Sequence, residues 1–213
     1  MKKKDWYLLP PERVNILLHA TGVLFGLIGI PYLIITAANH LDTPGIIATI
    51  MYGLGFMMLF TFSTLFHAVK KPRTKKLLLI FDHISIYFLI AGTYTPFIIL
   101  FVQNNFGRNL LVALWVLTLI GSFVKIFYTG KFDNLSTIIY ILMGLLLLIG
   151  GNRFFTTMPN SITTLIITGA GLYCAGVIFY IWEKYRYSHG VWHLFVLAAA
   201  ICHYVAVLQS VNQ

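Results

Sequence analysis

The sequence predicts an all-α fold: a bundle of seven transmembrane helices with the N-terminus in the cytoplasm and the C-terminus extracellular. Three observations lead there. The 213 residues are 59% hydrophobic and only 10% charged, with a mean hydropathy of +0.84. A soluble domain carries about 25% charged residues, so this chain has too few polar groups to cover a water-facing surface, and its solvent must be lipid. The apolar residues are also gathered into seven runs, and the basic residues sit on alternate connections between them.

The runs are Asn15–Ala38, Pro44–Val69, Leu77–Val102, Asn109–Tyr128, Leu135–Gly151, Ile162–Trp182 and Gly190–Val211. About 20 apolar residues are needed to cross a hydrocarbon core of about 30 Å, and the fifth run only just suffices. Lys2, Lys3 and Lys4 before the first run have the look of a signal peptide, but the run far exceeds an h-region of about 7–15 residues, so it is read as a retained span. Pro31 and Pro96 lie inside spans and are expected to kink them. The small-residue positions Gly22, Gly26, Gly53, Gly55, Gly169, Gly171 and Gly176 suit close approach of helices. Trp6, Tyr7, Trp182, Tyr185 and Tyr187 form an aromatic belt at the inner boundary. The whole chain, 1–213, is read as one integral domain of the cell membrane.

Charge sets the orientation. With the N-terminus inside, the inner segments hold Lys2, Lys3, Lys4, Arg13, Lys70, Lys71, Arg73, Lys75, Lys76, Lys125, Lys131, Lys184 and Arg186. Of the 15 basic residues only Arg108 and Arg153 remain outside. The reverse orientation violates the positive-inside rule by the same margin. The net charge of +9 is therefore read as topology signal and contact with anionic lipid headgroups rather than as a nucleic-acid footprint. Cys174 and Cys202 each lie within an apolar run, where a small packing residue is the plainer reading than a disulfide.

Polar residues inside spans are costly and mark the places where chemistry is found. Ser63 and His67 stand at i and i+4 near the end of the second run, and so do His189 and His193 at the start of the seventh; such pairs share one helix face. Asp82 lies near the start of the third run, and Glu12 and Asn15 near the start of the first. The second run travels inward and the first, third and seventh travel outward. The topology therefore delivers all these residues to similar depth on the cytoplasmic side. Three histidines with an acid nearby suit a catalytic zinc ion, since three protein ligands leave a fourth position open for water. His67, His189 and His193 are the predicted ligands. Asp82 is predicted to orient that water or take its proton, Ser63 to donate to a ligand imidazole or to a developing oxyanion, and Glu12 and Asn15 to support the site.

Plainer readings stand beside these. Asp82 alternatively pairs with Lys76 or another basic residue at the interface, Ser63 back-bonds to its own helix, and Glu12 and Asn15 are first-turn residues favoured by the helix dipole after Pro10-Pro11. His203 lies ten residues past His193, roughly 15 Å further along the helix, too far to share an ion, and is read as a buried packing or relay residue. His40 is placed in an outer loop. His83 points about 100° away from Asp82, and His19 reaches toward the pocket floor without being a ligand.

These motifs in this order resemble the progestin and adiponectin receptor family, most closely its bacterial hemolysin III-type branch. The likeness is carried by Glu12-x-x-Asn15 with His19, by Ser63-x-x-x-His67, by Phe81-Asp82-His83 running into Ala91-Gly-Thr-Tyr-Thr-Pro96, and by His189-x-x-x-His193-Leu-Phe-Val. It extends from the first run to the seventh. Leu18 departs from it, standing where the family often has a threonine. The resemblance implies a seven-helix fold, zinc on residues matching His67, His189 and His193, and a carboxylate like Asp82 near the water on the metal. It also implies kinship with alkaline ceramidases, membrane hydrolases of lipid amides, while the hemolysin name implies lysis of host cells through pores. The leading expectation is a zinc-dependent intramembrane hydrolase of a lipid amide or ester that serves membrane lipid homeostasis. Its substrate would arrive laterally from the inner leaflet. The rivals are a cytolytic pore with structural zinc and a seven-helix sensor or receptor. The outer halves of the runs are almost wholly apolar, which disfavours a monomeric channel.

Overall fold

The computed structural model describes residues 10–129, 133–182 and 185–213. Lys2, Lys3, Lys4, Trp6, Tyr7, Lys131 and Lys184, read above for topology, lie outside the described residues, and so does the side chain of Arg153. The described chain is all helical: α1 Pro10–His40, α2 Thr43–Ala68, α3 Pro72–Phe101, α4 Asn105–Tyr128, α5 Asp133–Gly150, α6 Asn152–Phe155, α7 Asn160–Ile181 and α8 Ser188–Val211. Six of them (α1, α2, α3, α4, α7 and α8) are long and apolar enough to cross a membrane. The short one is α5, with 18 residues, about 27 Å by helix rise.

α1, α3 and α4 begin four or five residues before their apolar runs, and the other helices that carry a run begin one or two residues before it. The run reports where lipid touches the helix, whereas the helix itself starts at its cap. At α2, Asp42 accepts a hydrogen bond from the Gly45 amide at 3.1 Å, and Pro44 occupies the first turn, where its missing N–H costs nothing. At α4, Asn104 caps the Gly107 amide at 3.0 Å. Glycine is required there, since a Cβ would stand 1.9 Å from the Val102 carbonyl oxygen. α1 and α3 run continuously through Pro31 and Pro96. His40, expected in a loop, instead sits in the last turn of α1, 2.8 Å from the Thr36 carbonyl oxygen through Nδ1. The one-turn α6 has no signal in the sequence beyond the glycine before it; it plants Phe154, fully buried, against Tyr94.

α2 packs on α1 and α3, α4 on α3, and α7 on α8, and α1 closes against α8. α3 is the most buried of the long helices and touches α2, α4, α5 and α8. Small residues set the tightest approaches. A Cβ at Gly22 would lie 2.1 Å from the Phe60 ring, and one at Gly55 would lie 2.6 Å from the Phe88 carbonyl oxygen. Hydrogen bonds between helices add to this packing: Tyr204 donates to Gly29 O at 2.9 Å, Tyr94 to Gly144 O at 2.8 Å, Tyr140 to His83 O at 2.9 Å and Trp115 to Thr95 Oγ1 at 3.2 Å. In lipid, such bonds average about 0.6 kcal/mol each. Large apolar side chains such as Leu24, Ile28, Leu119 and Ile181 point outward, as a lipid solvent demands.

Candidate metal centre

His67 occupies the last turn of α2, and His189 and His193 the first two turns of α8. Glu12 is in the first turn of α1. The close packing of α1 on both α2 and α8 brings these ends together. One ring nitrogen from each of His67, His189 and His193 lies within 4.8 Å of the other two. The Nε2 atoms of His67 and His193 are 3.1 Å apart, close to the roughly 3.3 Å between two nitrogens on one tetrahedral zinc ion. His67 and His193 are buried, and His189 partly so.

Glu12 decides which nitrogen of His67 is free. Its Oε2 lies 2.8 Å from His67 Nδ1. A carboxylate there accepts the Nδ1–H, which leaves Nε2 with its lone pair turned toward His193. This carboxylate–histidine pairing is the usual means of fixing a ligand imidazole. A second buried nitrogen facing that lone pair at 3.1 Å calls for either a proton or a metal between them. The donor set, three imidazoles with an orienting acid, fits a borderline divalent ion such as zinc.

Ser63 lies one turn before His67 on α2 and is fully buried. Its hydroxyl makes no hydrogen bond to its own helix and lies alongside the Asp82 carboxyl, which also stands in the field of His67. Asp82 is thus directed into the interior, while Lys76 is exposed, and no ion pair joins the two among the described residues. Asn15 is buried between α1 and α8 near Gly190, with its Oδ1 unpartnered.

A cavity of about 170 Å³ opens from this cluster into the bundle. His189, His193, Ser63 and Asp82 line one end; its walls are mainly apolar and continue past Ile90, Phe97 and Val196 to Tyr173 and His203.

The residues brought together are those the sequence singled out, with two additions, His83 and Lys125. His19, expected toward the pocket floor, lines the cavity and packs edge-on to His193 with ring centroids 4.0 Å apart; neither of its ring nitrogens has a partner among the described residues. Its spacing from Glu12 and Asn15, seven and four residues, places all three on one helical face, and that periodicity is the signal for it. His83, expected to point away, lines the cavity beside Asp82, because the cavity wraps around that end of α3. Lys125, read as a headgroup charge, is buried in the cavity wall opposite. Nothing in its basic neighbourhood announces that.

A sequence model described as haemolysin-III related matches residues 7–204. The chain belongs to the haemolysin III family. It is 36% identical over 197 residues to hemolysin-3 of Bacillus cereus, covering 92% of this chain and 90% of that one. It is 37% identical over 202 residues to a hemolysin-3 homolog of Bacillus subtilis, covering 95% of each. A more distant relative is the monocyte to macrophage differentiation factor of Homo sapiens, 30% identical over 165 residues that make up 74% of this chain and 67% of that protein. The resemblance drawn from the helix-end motifs is borne out, and this haemolysin III relative is a multi-pass membrane protein.

Proposed function

We propose that this haemolysin III relative is a zinc-dependent intramembrane hydrolase of a lipid amide or ester, with a role in membrane lipid homeostasis. The observation that carries the reading is the convergence of three histidine nitrogens within 4.8 Å, two of them on His189 and His193, which line a mainly apolar cavity that also receives Asp82 and Ser63. A structural ion would need the histidines but neither a cavity nor an acid beside them.

His67, His189 and His193 would hold the ion, and Glu12 keeps His67 in the tautomer that presents Nε2. When bound there, zinc supplies Lewis acidity toward a carbonyl and lowers the pKa of water. The residues around it divide the remaining work. Asp82 orients the attacking water and accepts its proton. Ser63 donates a hydrogen bond to the carbonyl oxygen as negative charge develops on it. The apolar wall holds the lipid chain and excludes bulk water from the reacting bond.

The same proximity supports a seven-span topology. α2 ends and α8 begins at one cluster, so an even number of crossings must separate them. With α3, α4 and α7 crossing, α5 must cross too. The concentration of basic residues near the His67 and His189 ends supports placing that side, with the N-terminus, in the cytoplasm. Substrate would then approach from the inner leaflet. The interface between α5 and α7, where Gly144 and Gly171 face open space, is the loosest wall of the cavity.

The test is hydrolysis of long-chain N-acyl amides by purified protein in lipid bicelles, wild type against Asp82→Ala. Turnover in the wild type that falls by about 10²–10⁴-fold in Asp82→Ala, with metal content unchanged, is expected. Turnover independent of Asp82 would sink the mechanism. Dye leakage from liposomes that persists in Asp82→Ala and His193→Ala alike would favour a pore.

A further inference from the structure

The hydrolysis proposed above needs only one end of the cavity, and the other end carries polar groups that a plain hydrocarbon chain would leave unsatisfied. His203 lies ten residues beyond His193 on α8, about 15 Å along the axis, and lines the cavity together with Tyr173 of α7. Their rings are 5.6 Å apart. His203 Nε2 is 3.2 Å from the Ile166 carbonyl oxygen, so that nitrogen carries the proton and donates, leaving Nδ1 as an acceptor. Gly169 permits this placement, because a Cβ there would stand 2.4 Å from Nε2.

Two hydroxyls nearby have no partner. The Tyr173 hydroxyl is buried without a hydrogen bond, and so is that of Tyr52, a fully buried residue of α2 close to Tyr173. Buried tyrosine hydroxyls ordinarily find a partner, and leaving one unmade is expensive. The wall around them is apolar, with Ile166, Ala170 and Val196, and among the described residues neither hydroxyl makes a hydrogen bond.

We propose that this far end is a second polar subsite, which takes a hydroxyl carried on the lipid chain about 15 Å from the group held at the histidine cluster. A hydroxyl can accept from the Tyr173 O–H and donate to His203 Nδ1 at once; a methylene can do neither, and a carbonyl only the first. The subsite selects hydroxylated acyl chains over saturated unsubstituted ones. It rests on the lipid reading of the cavity given above.

The experiment measures binding rather than turnover. Full-length protein in detergent is titrated with stearic acid and with 12-hydroxystearic acid, whose hydroxyl stands at a matching distance from its carboxylate, and affinities are read from thermal shift and calorimetry. The hydroxylated acid is expected to bind about tenfold tighter, equivalent to 1.4 kcal/mol. In Tyr173→Phe, which removes an unpartnered hydroxyl and keeps the ring, that preference collapses, and stearic acid binds at least as tightly as to the wild type. Equal affinities in the wild type would mean that water fills the far end, and would overturn the subsite alone. Binding of neither acid would overturn the lipid reading and the subsite with it. A preference that survives in both Tyr173→Phe and His203→Phe would place recognition of the hydroxyl elsewhere, and would also overturn it.

Discussion

Where α2 meets α3, a Cβ added at Gly55 would stand 2.6 Å from the Phe88 carbonyl oxygen, and one at Gly92 would stand 2.9 Å from that of Met51. At Gly144 of α5 and Gly171 of α7, on the other side of the cavity, an added Cβ would meet nothing within 4 Å. The same residue type thus closes one wall and leaves another open. The closed wall, built from α1, α2, α3 and α8, supplies every histidine of the candidate centre together with Glu12, Ser63 and Asp82. The open wall supplies mainly aliphatic and aromatic lining, with Thr137, Tyr140, Tyr173 and Tyr180 as its hydroxyl-bearing members. Ligand groups must be held within a fraction of an ångström, and backbone contact between helices gives that rigidity. A surface that admits a lipid chain needs the opposite.

Four substitutions would break or sharpen this contrast. The largest stability effect is expected on the closed wall. Gly55→Ala forces two backbones apart and should destabilise by about 1–3 kcal/mol, outweighing the gain in helix propensity of under about 1 kcal/mol; a lowered melting temperature in detergent is the readout. Next is Glu12→Ala, which removes the acceptor on His67 Nδ1. Metal affinity should fall about 10–100-fold with the fold retained, as measured by competition with a chelator. Tyr94→Phe cuts the bond that ties α3 to Gly144 O of α5. A loss of about 0.6 kcal/mol is expected, not above about 1.7 kcal/mol, because Tyr140 of α5 still donates to His83 O of α3. Smallest of all, Gly144→Ala should be neutral or stabilising by up to about 1 kcal/mol. A destabilised Gly144→Ala protein would show that the open wall is in fact packed, and the contrast would be lost.

The helices were legible because lipid leaves the chain no alternative: backbone groups must be satisfied within each span, so apolar runs and helices coincide. Their ends were less so. Asp42 and Asn104 are cap residues by type, but the hydropathy of the runs says nothing about them, and for the same reason it does not reveal that His40 is helical. The histidine cluster was legible from topology, since the direction of each run fixes the end at which its polar residues emerge. Rotation of each helix about its own axis is a finer matter. His83 and Lys125 depend on it, and a lysine beside a basic loop looks the same whether it reaches headgroups or a buried cavity wall. The unpartnered hydroxyls of Tyr52 and Tyr173 could not be foreseen at all. Among 12 tyrosines, only the packed structure distinguishes those whose O–H meets no acceptor.

The most direct test of the metal centre is the zinc content of purified protein, wild type against His67→Ala, His189→Ala and His193→Ala. One zinc per chain in the wild type, lost in each of the three variants, is the result expected from nitrogens that lie within 4.8 Å of one another. A wild-type protein that binds no metal after loading with zinc, or that keeps its zinc in all three variants, would contradict the assignment.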